Sequence, residues 1–158
     1  MNKHGKVIEI FSAKQGQSGL PRPISKKLEI LINQGIKDDK FAGKNILKDV
    51  MIVGKIAYDI AEENGIHLEL GSLGENILLD FNPHDYKVGT ILKISSLELE
   101  ITQSCTICNH LSVFDAQLPF LLKDCRGLYC KIISSGNVVK DDKIEVINKI
   151  EVSKKIAS

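Results

Sequence analysis

The residues best equipped for chemistry are the four cysteines. Cys105 and Cys108 stand two residues apart in the stretch ITQSCTICNHL (101–111), with His110 just beyond, and Cys125 and Cys130 follow. Four thiolates would make a closed tetrahedral zinc site. The second pair, however, has four intervening residues, and Cys130 sits in the apolar run LYCKII, where a small buried cysteine is common. A Cys-x-x-Cys can also be a redox pair when it opens a helix in an alternating β–α setting, because the helix dipole lowers the first thiol's pKa. A strand-like run does precede it, but the chain shows no alternation of strands and helices. A third chemistry is a single working thiolate at a strand end. Leu97, Leu99 and Ile101 alternate with Glu98, Glu100 and Thr102, so the inward face is set and the chain must turn near Ser104. The cysteines then fall on the loop beyond, where a thiolate is a soft donor suited to a soft metal or a transferable sulfur. Arg126 would lower that thiol's pKa if it folds close. Two inert loop cysteines are the fourth reading.

A second group is GSLGENI, residues 71–77. Two glycines three apart permit positive φ and close backbone approach, and Glu75 and Asn76 then project a carboxylate and an amide from a tight corner. From the residues alone the stretch reads first as a hairpin-like turn carrying a solvated glutamate. No GK[ST] follows, so it is not a phosphate loop. His4, His67, His84 and His110 are dispersed, none pairing with another at helical ligand spacing; His110 alone is near the thiols in sequence.

These groups need a scaffold. The chain has 158 residues, 43% hydrophobic and 26% charged, enough for one domain with a real core. A net charge of +1 with interspersed signs gives no general case for nucleic acid or an anionic membrane surface. No segment approaches the roughly 20 apolar residues of a membrane span, and the N-terminus lacks a signal-peptide core. The expectation is a cytoplasmic protein with reduced thiols.

Strands are expected at Lys6–Phe11 (Val7, Glu9 and Phe11 opposite Ile8 and Ile10), Lys27–Asn33, Val50–Val53, Ile77–Asp80, Thr90–Ile94 and Leu97–Gln103. The last two should pair across Ser95-Ser96. Residues 12–26 and 34–45 read as loops. GKIAYDIAEENG predicts the one clear helix, about 54–64, with Ile56, Ala57, Ile60 and Ala61 as its apolar stripe and Gly65 past its end. Val113–Lys123 reads as a helical turn broken at Pro119. Leu128–Ile133 and Lys143–Ile147 are closing strands joined through Ser135-Gly136-Asn137. Short strands, frequent glycines and one helix predict a mainly β, barrel-like domain.

Three motifs taken together resemble the MOSC family, named for the C-terminal part of molybdenum cofactor sulfurases. They are G-x-L-G-E-N-I at 71–77, I-T-Q-x(4)-C-x-x-L at 101–111 and R-G-x-Y-x-K-I at 126–132. Order and spacing match from about Val7 to Val146, within a single domain covering 1–158. The resemblance implies a closed β-barrel and a cysteine that ligates the molybdenum of a molybdopterin cofactor or carries sulfur as a persulfide. The matching position is Cys108. By the same resemblance Gly74, Glu75 and Asn76 match the family's cofactor-binding Gly-Glu-Asn corner, in which Glu75 and Asn76 would fix the pocket rim, and Gln103 would offer amide hydrogen bonds near the thiol. Arg126 would pair with the pterin phosphate, and Tyr129 matches the aromatic of the arginine-glycine-aromatic strand start. The chain departs from the family at Ser104–Ile107, where members often carry proline and arginine, and at Asp38–Phe41, where Gly-Asp-x-His is usual. It has no lysine-bearing pyridoxal phosphate motif, so a cysteine desulfurase or an electron-donor protein is expected in trans. The alternative from another class is a non-catalytic binding module held by zinc on Cys105, Cys108, Cys125 and Cys130.

Overall fold

The computed structural model describes residues 3–17, 20–105 and 109–147. The run VMIVG becomes strand β4 (Val50–Gly54), and both of its faces are buried. Val50 and Ile52 point into one hydrophobic cluster, Met51 and Val53 into another. That is why the segment reads as continuous apolar sequence rather than as an alternating one. Helix α1 (Lys55–Glu63) follows directly, and the chain returns through β5 (Ile77–Leu79), which lies parallel to β4 with Ile52 beside Ile77. A parallel pair needs a crossover connection, and α1 with the corner at 71–76 supplies it.

The remaining barrel strands are β1 (Lys3–Ile10), β6 (Ile91–Ile94), β7 (Leu97–Ser104), β8 (Leu128–Ser134) and β10 (Lys143–Ile147). Seven strands close in the order β1-β10-β6-β7-β8-β4-β5. Closure removes the exposed edges that invite aggregation. A three-stranded sheet, β3-β2-β9, is built from β2 (Leu28–Leu31), β3 (Gly35–Ile36) and β9 (Gly136–Val138). A short helix, α2 (Leu118–Leu121), precedes β8. The barrel interior is aliphatic, including Val7, Ile10, Ile52, Ile77, Leu79, Leu99, Ile101, Ile144 and Val146. Each such side chain contributes about 1.5–3 kcal/mol by burial, against at most about 1 kcal/mol for an exposed ion pair, so the barrel rests on its core.

The β6–β7 hairpin forms as the alternation requires, with Ile94 opposite Leu97 across Ser95-Ser96. Several local expectations are corrected. A bulge between Val7 and Glu9 shifts the register of β1, so Val7 and Ile10 both face the barrel interior although their spacing is odd. The helix buries Ala57, Tyr58 and Ala61, whereas Ile56 is exposed and Ile60 only partly covered. Pro119 lies in the first turn of α2, where its missing N–H costs nothing, so it begins the helix rather than breaking it. The segment expected to join the closing strands is itself β9, paired with β2, and β10 pairs with β1 and β6. Gly35 and Ile36, expected in a loop, pair with β2. No helix among the described residues is long and apolar enough to cross a membrane.

Candidate functional site

The GSLGEN corner is built inward. Gly71 and Gly74 have φ of +94° and +83°, and a Cβ on Gly71 would meet Arg22 O at 2.7 Å. The turn therefore requires glycine there and lets the 20–24 loop lie against it, with Arg22 N donating to Gly71 O. Glu75 is not the solvated glutamate of an open turn: it is 0% exposed. Tyr58, projecting from α1, donates its hydroxyl to Glu75 Oε2 (2.6 Å) and accepts from the amides of Gly71 (3.0 Å) and Leu73 (3.3 Å). With both amides aimed at its oxygen, the only proton Tyr58 has to give goes to the carboxyl. Burial pushes the Glu75 carboxyl up, with Tyr58 and the more distant Arg126 charge pulling the other way, and drives the Tyr58 phenol up as well. Glu75 Oε1 has no hydrogen-bond partner. Asn76 closes the corner: its Oδ1 accepts from Met51 N (2.9 Å) and its Nδ2 donates to Phe11 O (3.2 Å), tying β4 to the end of β1.

Arg126 lies two residues before β8, 2% exposed, and donates from Nη1 to Leu73 O (2.7 Å). The corner thus holds the guanidinium through one of its carbonyls. The next residue, Gly127, has φ of +135°, and a Cβ there would meet Met51 Cε at 2.7 Å. Its carbonyl accepts from Cys105 N (2.9 Å) and its amide donates to His84 Nε2 (3.0 Å). His84 is therefore an acceptor at Nε2, and burial holds its pKa below the ordinary value.

These elements enclose a cleft of about 330 Å³ lined by Arg22, Lys40, Cys105 and Arg126, with Leu73, Gly74 and Tyr129 among its walls. Cys105, 5% exposed, donates from Sγ to Tyr129 Oη at 3.6 Å. Burial, with the Cys105 contact, pushes the Tyr129 phenol up to about 12, against the two arginines. Arg22 is desolvated, which lowers its pKa, while Asp39 opposes that shift. Asp39 is engaged within its own loop, accepting from Ser12 Oγ (2.7 Å), Ala13 N (3.2 Å) and Phe41 N (3.0 Å), so Arg22 Nη1 approaches it only to 3.7 Å. The result is a thiol beside several cations in a partly enclosed space, which suits an anionic ligand bearing a soft centre.

Of the residues expected from sequence, Gly74, Arg126 and Tyr129 line this cleft. Glu75 is placed behind it rather than on its rim, because its carboxyl is turned toward Tyr58. Asn76 serves mainly as a backbone tie. Gln103 lies on β7 opposite Tyr129, half-buried. Cys108 is outside the described residues. The four-cysteine zinc arrangement is not supported: Cys130 is in the barrel interior, Cys105 and Cys125 are in the other hydrophobic cluster, and no metal-holding group of three forms among the described residues. Burial pushes the thiols of Cys125 and Cys130 up. Sequence reasoning missed Arg22, Lys40, Tyr58 and the location of Cys105. The weak signal for Arg22 was its position between Pro21 and Pro23, which stiffen the loop that presents it.

The MOSC domain family model matches residues 47–145, which include the corner, the Cys105 strand end and the Arg126 strand start. The chain belongs to the MOSC domain family. That family is associated with the molybdenum cofactor. No curated protein matches the sequence. Among solved structures, YuaD of Bacillus subtilis is similar in fold at 18% identity and TM-score 0.76, covering 92% of this chain and 98% of its own. YiiM of Geobacillus stearothermophilus is similar at 15% identity and TM-score 0.74, covering 91% and 75% respectively. YiiM of Escherichia coli follows at 15% identity and TM-score 0.64, covering 92% and 71%. Arg22, Lys40 and Phe41 all precede the matched segment, so this MOSC cleft takes part of its charge from residues the family model does not span.

Proposed function

We propose that the cleft binds the molybdenum cofactor, with a cysteine thiolate at its edge acting as metal ligand or as persulfide carrier. The observation that carries this reading is the convergence of the Cys105 thiol with Arg22, Lys40 and Arg126 around one cavity. The residues present fit the group. Guanidinium and ammonium groups match a pterin phosphate, and Arg126 is pre-positioned by Leu73 O, so little entropy is lost on binding. The thiolate is the soft donor a molybdenum centre takes. When bound, the cofactor would supply two-electron redox chemistry at the metal.

The cysteine's own chemistry is the same in either role. Cys108, the position matching the family's cysteine, and Cys105 three residues earlier are the candidate thiolates. In sulfur transfer the thiolate attacks the outer sulfur of a donor persulfide. A new S–S bond forms on the cysteine, the donor's S–S bond breaks, and the electron pair leaves with the donor thiolate. The donor would be a cysteine desulfurase acting in trans. In the redox role, an electron-donor protein would support molybdenum-dependent reduction of N-hydroxylated compounds. Arg126, Arg22 and Lys40 bind and orient the anion, and the apolar walls at Leu73 and Met51 exclude water.

The test is molybdenum content and pterin fluorescence of protein expressed with the cofactor pathway intact, for the wild type and for Cys105→Ser, Cys108→Ser and Arg126→Gln. Loss of molybdenum in one cysteine variant and of pterin in the arginine variant is expected. Unchanged content in all three variants removes these residues from the role.

A further inference from the structure

A second chamber of about 240 Å³ adjoins the cleft and shares Arg22, Phe41, Met51 and Tyr129 with it. Its other walls include Lys44, Lys48, Asn45, Asp49 and Asp39. Two aromatic faces anchor the cations. Arg22 Cζ lies 5.1 Å and Lys44 Nζ 5.8 Å from the Phe41 ring centroid, and Lys48 Nζ lies 5.3 Å from that of Tyr129. Neither Lys44 nor Lys48 forms an ion pair among the described residues. Arg22 Nη1 makes no hydrogen bond, and its nearest carboxylate, Asp39, is already occupied by its own loop. Three cations therefore face a space whose one uncommitted acid is Asp49. Asp49 Oδ1 is buried without a hydrogen-bond partner, which is a costly arrangement unless something donates to it.

We propose that this chamber is the substrate subsite, and that it takes a small planar ring bearing an oxyanion, a carboxylate or a phosphate monoester, together with an N–H or O–H donor. The oxyanion is held by Arg22, Lys44 and Lys48, the donor by Asp49, and the ring is flanked by Phe41 and Tyr129. Lys44, Phe41 and Arg22 lie outside the segment that the family model matches, whereas Lys48 and Asp49 lie within it. The shared walls place the bound molecule beside the thiol-lined cleft, and its role as substrate rests on the reading of that cleft given above. The opposite assignment, a cationic ligand, is disfavoured on charge: it would bring a fourth positive group to a chamber whose two carboxylates are Asp49 and the loop-engaged Asp39.

The experiment titrates 4-aminobenzoate, 4-aminophenyl phosphate and uncharged aniline into the full-length protein, followed by amide chemical shifts, and measures molybdenum content in the same preparations. Both anions are expected to bind at least tenfold more tightly than aniline, about 1.4 kcal/mol. The tighter of the two identifies the headgroup. Lys44→Met/Lys48→Met should weaken the anions at least tenfold and leave molybdenum content unchanged. Absence of anion binding to the wild type, or wild-type affinity in the double variant, overturns the proposal. A wild type that binds the anions but carries no molybdenum would instead overturn the cofactor reading and leave the anion subsite standing.

Discussion

The Tyr58 hydroxyl, 2.6 Å from Glu75 Oε2, is the point at which the helix and the glycine corner are joined. It also collects the amides of Gly71 and Leu73, and Leu73 O in turn holds Arg126. One phenol oxygen therefore governs the shape of the loop that positions the cleft's most deeply buried cation.

Tyr58→Phe keeps the ring and deletes that oxygen. Two buried amides and a buried carboxyl oxygen lose their partner at once, and each unmade bond costs about 1–3 kcal/mol. A loss of about 2 kcal/mol or more is expected, read as a lower urea midpoint with an unchanged slope. Pterin retention should fall with it, because Leu73 O no longer sits at a fixed distance from Arg126. A variant as stable as the wild type would show that the corner holds its shape without the phenol.

Glu75 gives a pH dependence with a definite sign. Desolvation dominates, so the folded chain binds this proton more tightly than the unfolded chain, whose ordinary value is 4.5. The folded state therefore holds the extra proton between 4.5 and its own higher value. The group's contribution is complete below the lower limit and is lost as pH rises through the upper one. Glu75→Gln is neutral throughout. Urea unfolding from about pH 4 to about pH 8 should show the wild type losing stability relative to the variant as pH increases. The opposite trend would mean that Arg126 holds the carboxylate ionised.

How much of this was legible follows from the range of the interactions. The β6–β7 hairpin was written locally, in the alternation of Leu97, Leu99 and Ile101 and a two-residue turn, and it formed as read. The bulge at Val7–Glu9 was not, because it is set by the pairing with β5, some seventy residues away. The corner glycines were recognisable from their spacing, but the burial of Glu75 was not. Its partner is 17 residues upstream on a helix whose apolar stripe, read by periodicity, points through Ile56 and Ile60 rather than Tyr58. Arg22 and Lys40 come from segments that read as polar loop. Only the closing of that loop against Gly71 and Asp39 turns solvated charges into cleft walls.

His84 supplies the last prediction. Its Nε2 accepts the Gly127 amide, and the Gly127 carbonyl in turn holds the amide of Cys105, so the imidazole is one hydrogen bond removed from the backbone of the cleft thiol. Burial lowers its folded pKa below the ordinary 6.5, outweighing the charges of Asp124 and Asp85. The unfolded chain then binds the extra proton in the window below 6.5. Stability is complete above that value and is lost as pH falls through the folded one. A protonated ring would have to turn an N–H toward the N–H of Gly127, which ejects it from its site. His84→Gln offers a carbonyl oxygen that accepts the same amide and does not titrate. Below about pH 6 the wild type is expected to lose stability, and the Gly127 and Cys105 amides to exchange faster with solvent, while the glutamine variant keeps both. Parallel pH profiles for the two proteins would remove His84 from this role.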